Sequence, residues 1–300
     1  MCGHDQPTRS VLAEHLCATA RDRGLRSARP LREGDVGMDG TKAAEDWLSP
    51  LRQHGLIPRG ALAVFVVGSA ARGWHNPRSD FDVYVVTRTE RVSSSGGTVP
   101  VPLEPPRLST ELFYTQSRRW DVTYWLDSQI DQIFAKVSWE AFETGRVTED
   151  TLVLREELLL GRLGSCLPLL GEAWLARCRS RLAESAFHSF AVVRSLGAAD
   201  DAVEDALGQL EAGDLESATI SARLAFGHVI NALLESHGEY GSHLPKWRPN
   251  RFKAVAPQAI SFADYWRVET MEGYDPADPA PWIEGVLTLC QDLAMRVETS

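Results

Sequence analysis

The sequence predicts an α+β chain: an N-terminal part in which strands alternate with helices, then an all-α helical bundle. Three observations carry that reading. ALAVFVVG (61–68), DFDVYVVT (80–87) and RRWDVTYWL (118–126) are short apolar or alternating runs rich in β-branched and aromatic residues, the pattern of strands. After Gly171 such runs cease, and segments of helical periodicity separated by glycines fill the chain. The charge is uneven too. Residues 1–170 hold 20 Lys/Arg against 22 Asp/Glu, whereas residues 171–300 hold 11 against 19. The expected organisation is an N-terminal extension (1–40), an α/β domain (41–170) and a helical domain (171–300). A chain of 300 residues is long enough to bury about three quarters of its unfolded surface.

Residues 1–40 are Arg-rich and weakly periodic, with a short helix expected near Ser10 to Arg23 and a loose connector after it. From Thr41, Ala44, Trp47, Leu48 and Leu51 recur at helical spacing on one face. ALAVFVVG has the continuous apolarity of a strand buried on both faces, and DFDVYVVT follows after a polar turn. Residues 88–110 are rich in Ser, Gly and Pro and read as a long connection outside the core. RRWDVTYWL is the third strand, with Val122 and Tyr124 facing opposite to Asp121 and Thr123. Residues 127–145 read as helical, and TLVLREELLLGRLG as a last strand or turn. In the second half, AWLARCRSRLAESAFHSFAVVRSLG is expected to be a helix stopping at Gly197. Further helices are expected over DDAVEDALGQLEAG, DLESATISARLAFGHVINALLESHG and PWIEGVLTLCQDLAMRVETS. Asp200 or Asp214 suit N-caps, and Gly197, Gly213 and Gly238 suit positions just past helix ends.

Composition narrows the function classes. The net charge of −10 argues against a coat for nucleic acid, which needs a basic face, and makes a polynucleotide partner unexpected. No run approaches the ~18 apolar residues of a membrane span, so no membrane role is expected. The N-terminus lacks the basic start and apolar core of a secretory signal. Cysteines at 2, 17, 166, 178 and 290 are odd in number and lack metal-ligand spacing. They read as free thiols of a reducing cytoplasm.

The chemistry-bearing stretch is VFVVGSAARGWHNPRSDFDVYVV, residues 64–86. A strand delivers Gly68 and Ser69 into a tight turn, where a side chain at Gly68 would obstruct a ligand. Backbone N–H groups there and at the start of a following helix (70–73) favour phosphate oxygens. Asp80 and Asp82 sit two apart on a strand, so both carboxylates share a face. Paired carboxylates repel unless a cation lies between them, and oxygen ligands with substrate phosphates suit Mg²⁺. Asp121 lies on its own strand some forty residues later and can join from a neighbouring strand. A phosphate-binding turn, an acidic pair and a third acid point to metal-assisted nucleotidyl transfer.

Gly68, Ser69, Ala71, Arg72, Gly73, Ser79, Asp80 and Asp82 together resemble the Gly-Ser-x-Ala-Arg-Gly … Ser-Asp-x-Asp signature of the DNA polymerase β-like nucleotidyltransferase superfamily, in its small bacterial form. Asp121 resembles the later strand carboxylate of that family. The helical half is similar in pattern to the C-terminal bundle of aminoglycoside nucleotidyltransferases. The resemblance implies a small mixed-sheet catalytic domain followed by a substrate-binding bundle. It implies that Gly68 and Ser69 hold the triphosphate of ATP or another NTP. Ser79 is a further candidate there, and Arg72 either contacts phosphate or pairs with an acid of its own domain. Asp80 and Asp82 would bind Mg²⁺, as two ions. Asp121 would be either a third metal ligand or the general base for the acceptor hydroxyl; on a plain structural reading it is a strand-end acid salt-bridged to Arg118 or Arg119. The resembling aminoglycoside enzymes usually carry Glu at that place, and this chain carries the shorter Asp.

Weaker signals compete with plain structural readings. Lys246, Arg248, Arg251 and Lys253 form a basic run inside the acidic half. It is either a solvated connector or a source of a cation for the triphosphate, with Lys246 the favoured residue. Trp74 and His75 either stack on a base or pack the turn. Arg223 and His228 fit the Arg-x4-His pattern that resembles HEPN ribonuclease helices, or they are ordinary residues of a packed helix. Glu184 is a second candidate base on the first bundle helix. Glu269, Glu272, Asp275 and Asp278 are acids that suit a cationic acceptor.

The resulting expectation is a Mg²⁺-dependent enzyme that moves NMP, in particular AMP, from an NTP to a hydroxyl of a small, cationic acceptor. Aminoglycoside-type antibiotic modification or a related natural-product step both fit. The alternatives are an antitoxin-like protein adenylyltransferase and a HEPN-type RNase module with a regulatory nucleotidyltransferase domain.

Overall fold

Ala63–Val67 form β1, in which all five residues are buried, as an unbroken apolar run demands when both faces of a strand are covered. Phe81–Thr87 form β2 and Arg118–Leu126 form β5. Gly97–Pro100 (β3), Arg107–Thr115 (β4) and Leu167–Leu170 (β6) complete a six-stranded sheet in the order β3-β4-β5-β2-β1-β6. β2 and β5 are parallel, and every other neighbouring pair is antiparallel. The sheet is mixed, as expected. The computed structural model describes residues 40–91, 96–115, 117–144 and 151–298, without the side chains of 40–46. The helix expected near Ser10 to Arg23 and the rest of the 1–39 extension lie outside them.

Helix α1 (Gly40–Gln53) packs on one face of the sheet. Leu48, Leu51 and Leu56 join Val64, Val66, Phe81, Val83, Val85, Trp120 and Val122 in a buried cluster. Trp47, Phe81 and Trp120 meet edge to face, with ring centroids 4.5–5.5 Å apart. After the four-residue helix α2 (Gly68–Ala71), the sheet unit adds α3 (Asp127–Lys136), α4 (Trp139–Glu143) and α5 (Leu154–Leu163). Helix α6 (Glu172–Glu184) buries Trp174, Leu175 and Cys178. The Trp174 ring stacks at 6.4 Å on Phe65 of β1, and its Nε1 donates to Asp127 at 2.8 Å. Contacts of this kind tie α6 to the sheet. The described residues divide into compact units 40–187 and 188–298, one helix later than the division expected at 170/171.

The second unit is helical. Helix α7 (Phe187–Glu211) crosses the boundary, and α8 (Leu215–Glu235) and α11 (Ala280–Ala294) follow. Between the last two lie a 3-10 turn (Pro245–Trp247), α9 (Arg248–Val255) and α10 (Phe262–Glu269). Its core gathers Val192, Leu196, Phe226, Ile230, Leu233, Phe252, Tyr265, Ile283 and Leu287. The Phe252 and Tyr265 rings stack 4.6 Å apart.

Several expectations are corrected. Residues 97–115 are not a connection outside the core: they form the β3–β4 hairpin, and Val101, Leu103 and Leu108 are buried. The prolines that suggested a loop sit at the end of an edge strand and in the hairpin's turn, where no ladder N–H is needed. TLVLREELLLGRLG holds a helix rather than a strand, because Leu159, Leu160 and Leu163 need one buried face. The helix expected to stop at Gly197 instead breaks at Ser185 and restarts. Gly197 and Asp200 lie inside α7, so neither caps it. Asp214 does cap α8, its carboxylate accepting from the Ser217 N–H at 3.1 Å. Gly213 and Gly238 take left-handed φ values of 76° just past helix ends, as expected. The PNRFK part of the basic run lies in helix α9 rather than in a connector.

Candidate active site

The site begins where β1 ends. Val67 lies opposite Asp82 of β2, and the chain turns at Gly68. Gly68 has φ +71°, and a Cβ there would fall 2.8 Å from Asp82 Oδ2. Glycine is needed both for the backbone and for the close approach. Ser69 follows in α2, its carbonyl accepting from the Trp74 N–H at 2.9 Å, which closes the turn. The helix expected at 70–73 therefore starts two residues earlier.

Period-two alternation then places the acids. The parallel ladder of β2 with β5 pairs Phe81 with Trp120, Asp82 with Asp121 and Val83 with Val122. Phe81 and Trp120 face the core under α1, so Asp80, Asp82 and Asp121 come together on the other face, beside the Gly68 turn. All three carboxylates keep partial exposure, 43% for Asp80, 35% for Asp82 and 28% for Asp121. Burial pushes the Asp82 carboxyl above the ordinary carboxylate value. Arg162 pulls it back, and the nearby charges of Asp80 and Asp121 add to the rise.

Two arginines complete the site: Arg119, expected only as a plain salt-bridge partner of Asp121, and Arg162, which sequence reasoning did not assign. Arg119 of β5 donates from Nη2 to Asp80 Oδ2 at 2.9 Å, and from Nε and Nη2 to Asp121 Oδ2 at 3.1 and 2.5 Å. Its guanidinium bridges the first and third acids. Arg162 of α5 lies under the turn, with Nη2 4.0 Å from Asp82 Oδ2 and Nη1 donating to the Tyr84 hydroxyl at 2.7 Å. The signal for Arg119 was its place two residues before Asp121, hence on the same strand face. Arg162 gave no such signal, since it lies eighty residues from Asp82.

The remaining expected residues are placed as follows. The Arg72 guanidinium lies 3.9 Å above the Trp74 ring, so this cation packs on the turn's tryptophan. Ser79 Oγ accepts from the Asn76 N–H at 3.0 Å, and the Ser79 carbonyl accepts from Arg118 at 3.4 Å. Ser79 thus braces the loop that delivers Asp80. Glu184 is exposed, and its carbonyl accepts from Trp139 Nε1.

In the helical unit, Lys246 is exposed with its Nζ 5.4 Å from the Trp247 ring. Its neighbours in the basic run are structural. Arg248 pairs with Glu269 at 2.6 Å, and buried Arg251 donates to Asn231 at 3.0 Å. Glu269, one of the acids expected to meet a cationic acceptor, is thereby engaged. Arg223 is exposed and His228 half-buried on α8. They are five positions apart, about 140° around a helix, so they do not share a face. Burial, with Arg248 and Arg194 nearby, lowers the His228 pKa.

Among the described residues, no group of three His, Cys, Asp or Glu is spaced to hold a metal ion as it stands. The acids are arranged about the Arg119 guanidinium instead. The donor set still suits a divalent cation: three carboxylates share one face, and the charges of Asp80 and Asp121 add to the rise that burial gives the Asp82 carboxyl. Among the described residues, no helix is long and apolar enough to cross a membrane.

One family model covers the stretch that carries this arrangement. Residues 57–152 match the family model described as nucleotidyltransferase domain. This stretch runs from the approach to β1 through β5 and α4, and so includes every acid of the site. The chain carries a nucleotidyltransferase domain of the DNA polymerase β-like kind and is a transferase of the EC 2.7.7 type. Ten solved chains match in structure. One is a nucleotidyltransferase-like protein from Exiguobacterium sibiricum 255-15, 9% identical, with 85% of this chain and 75% of that one covered and a TM-score of 0.44. No curated protein matches the sequence.

Proposed function

We propose that the chain transfers AMP from ATP to a hydroxyl of a small molecule and releases pyrophosphate. The observation that supports this most is the register that sets Asp82 beside Asp121, with Asp80 on the same face and a glycine-only turn against Asp82. In the reaction the acceptor oxygen bonds to the α-phosphorus, and the bond from that phosphorus to the bridging oxygen breaks. The acceptor proton goes to a base, and pyrophosphate carries away the electron pair. Gly68 keeps the turn clear for phosphate oxygens, and Ser69 presents its backbone there. Asp80, Asp82 and Asp121 are the groups that would hold Mg²⁺, whose chemistry there is to neutralise the triphosphate. Asp121 would serve either as a third ligand to that ion or as the base that takes the acceptor's proton. An aminoglycoside or a related hydroxylated amine suits the acidic balance of the chain.

The test is incubation with α-labelled ATP, Mg²⁺ and a set of aminoglycosides, beside the same mixture with a cell lysate. Label on a small hydroxylated amine, with stoichiometric pyrophosphate, is the expected result. Label only on a polypeptide would replace the small acceptor with a protein. Asp80→Asn and Asp82→Asn are each expected to abolish transfer while leaving the circular dichroism spectrum and melting midpoint intact. Full activity in either variant would remove the carboxylates from the chemistry.

A further inference from the structure

The face of the sheet that carries the acids does not end at Asp121. In the antiparallel ladder of β4 with β5, Leu112 lies directly opposite Asp121, and Tyr114 directly opposite Arg119. Directly paired residues point to the same side of a sheet, with Cβ atoms about 5 Å apart. Leu112 and Tyr114 therefore stand beside the carboxylates. They are 56% and 68% exposed, and among the described residues they are the only large apolar side chains of the sheet left exposed. Their strand neighbours follow the opposite rule. Glu111 is buried with Arg91 at 3.4 Å, and Phe113 stacks on Trp120 at 5.4 Å. A Leu and a Tyr at alternate positions beside a charged cluster make an apolar shelf with polar groups along one border, the composition of a small-molecule site.

We propose that Leu112 and Tyr114 form the platform on which the acceptor ring lies, and that the acceptor is a hydroxylated ring compound with one apolar face, such as a sugar or aminocyclitol. The inference rests on the nucleotidyl-transfer reading and adds to it the location and chemistry of the acceptor. The direction of the reaction supports it. Entering and leaving oxygens lie roughly in line across the phosphorus. The sheet order β4-β5-β2-β1 runs from the shelf, through Asp121 and then Asp82, to the Gly68 turn after β1. With the leaving pyrophosphate at the turn, the entering hydroxyl approaches from the β5 side, and the body of the acceptor lies over β4. One strand spacing, about 4.8 Å, separates Asp121 from the shelf, close to the width of a six-membered ring. A single ring can thus place a hydroxyl at Asp121 and its C–H face on Leu112 and Tyr114. The Tyr114 ring offers an apolar face with a hydroxyl at its edge, which suits a partner that is apolar on one side and polar around its rim.

The test uses the full chain with Mg²⁺ and a nonhydrolysable ATP analogue. Saturation-transfer NMR is run with a monosaccharide, an aminocyclitol and an aminoglycoside, while calorimetry follows the nucleotide. At least one compound is expected to receive saturation at its ring C–H groups. Its affinity is expected to fall about tenfold or more in Leu112→Ser/Tyr114→Ser and to survive in Tyr114→Phe, with nucleotide affinity unchanged in both. Because both side chains are exposed, the melting midpoint reports whether the double variant stays folded, and the single variants Leu112→Ala and Tyr114→Ala repeat the measurement if it does not. Failure of every compound to bind, or equal binding to the variants, overturns the platform. A fall in nucleotide affinity also overturns it, because the shelf would then hold the base. Pyrophosphate release that depends on Asp80 judges the transfer reading separately: ring binding without it sinks the reaction and leaves the platform standing.

Discussion

Arg119 is the residue through which the acids of the site are coupled. Alone, Asp80, Asp82 and Asp121 repel one another, and the guanidinium between Asp80 and Asp121 relieves part of that repulsion. A divalent cation binding the same oxygens must displace it. Arg119→Ala is therefore expected to bind Mn²⁺ or Mg²⁺ more tightly, by about three- to tenfold given the modest strength of exposed ion pairs. Calorimetric titration without nucleotide checks this, and equal or weaker affinity would show that Arg119 does not compete. At this scale much was legible in the sequence. Asp80 and Asp82 could be put on one face because strand alternation is a local rule, and Gly68 because a turn against a ligand tolerates nothing larger. The contact of Arg162 with Asp82 was illegible because it depends on where α5 lies.

At the scale of elements, three of the six strands declared themselves, while the other strands and some helices did not. ALAVFVVG, DFDVYVVT and RRWDVTYWL became β1, β2 and β5 because continuous or alternating apolar residues fit a buried sheet and little else. The β3–β4 hairpin was hidden by prolines that an edge strand tolerates. Helix α5 was hidden because LREELLLGRL is too short for its periodicity to be told from a strand's apolar run. Gly197 marks no helix end because an interior glycine costs only about 1 kcal/mol relative to Ala, which a long packed helix absorbs. The Asp214 cap was readable, since it depends only on residues within one turn. Asp214→Ala is expected to lower unfolding stability by about 1 kcal/mol, read as a lower midpoint in urea with an unchanged slope. No change would mean that solvent satisfies the start of α8 equally well.

The molecule as a whole keeps two cores, one around the sheet and one around α8 and α11, and both contain thiols. Burial pushes the Cys178 thiol up to about 11 and the Cys290 thiol up to about 12, and it raises Cys166 as well. The reactive thiolate is therefore scarce at neutral pH. In the native protein these three are expected to resist a thiol reagent at pH 7.5 and to label together with unfolding in urea, as mass spectrometry of the peptides would show. Labelling of Cys178 before unfolding would mean that α6 opens independently of the sheet. Cys2 and Cys17 lie outside the described residues and serve only as internal comparison.

What the sequence determined by itself was local: a strand, a glycine turn, an acidic pair on one face, a third acid on another strand, and a helical second half. Each follows from spacing along the chain, because side-chain direction is set by backbone period. Tertiary structure alone decided which strands are neighbours. Setting β2 parallel beside β5 put Asp82 next to Asp121, brought Arg119 between the acids and ranged Leu112 and Tyr114 beside them. It also bound α6 to the sheet through Trp174 and Phe65. Strand order depends on which apolar faces can be buried together across the whole unit, a property of the assembled core that no single stretch of sequence contains.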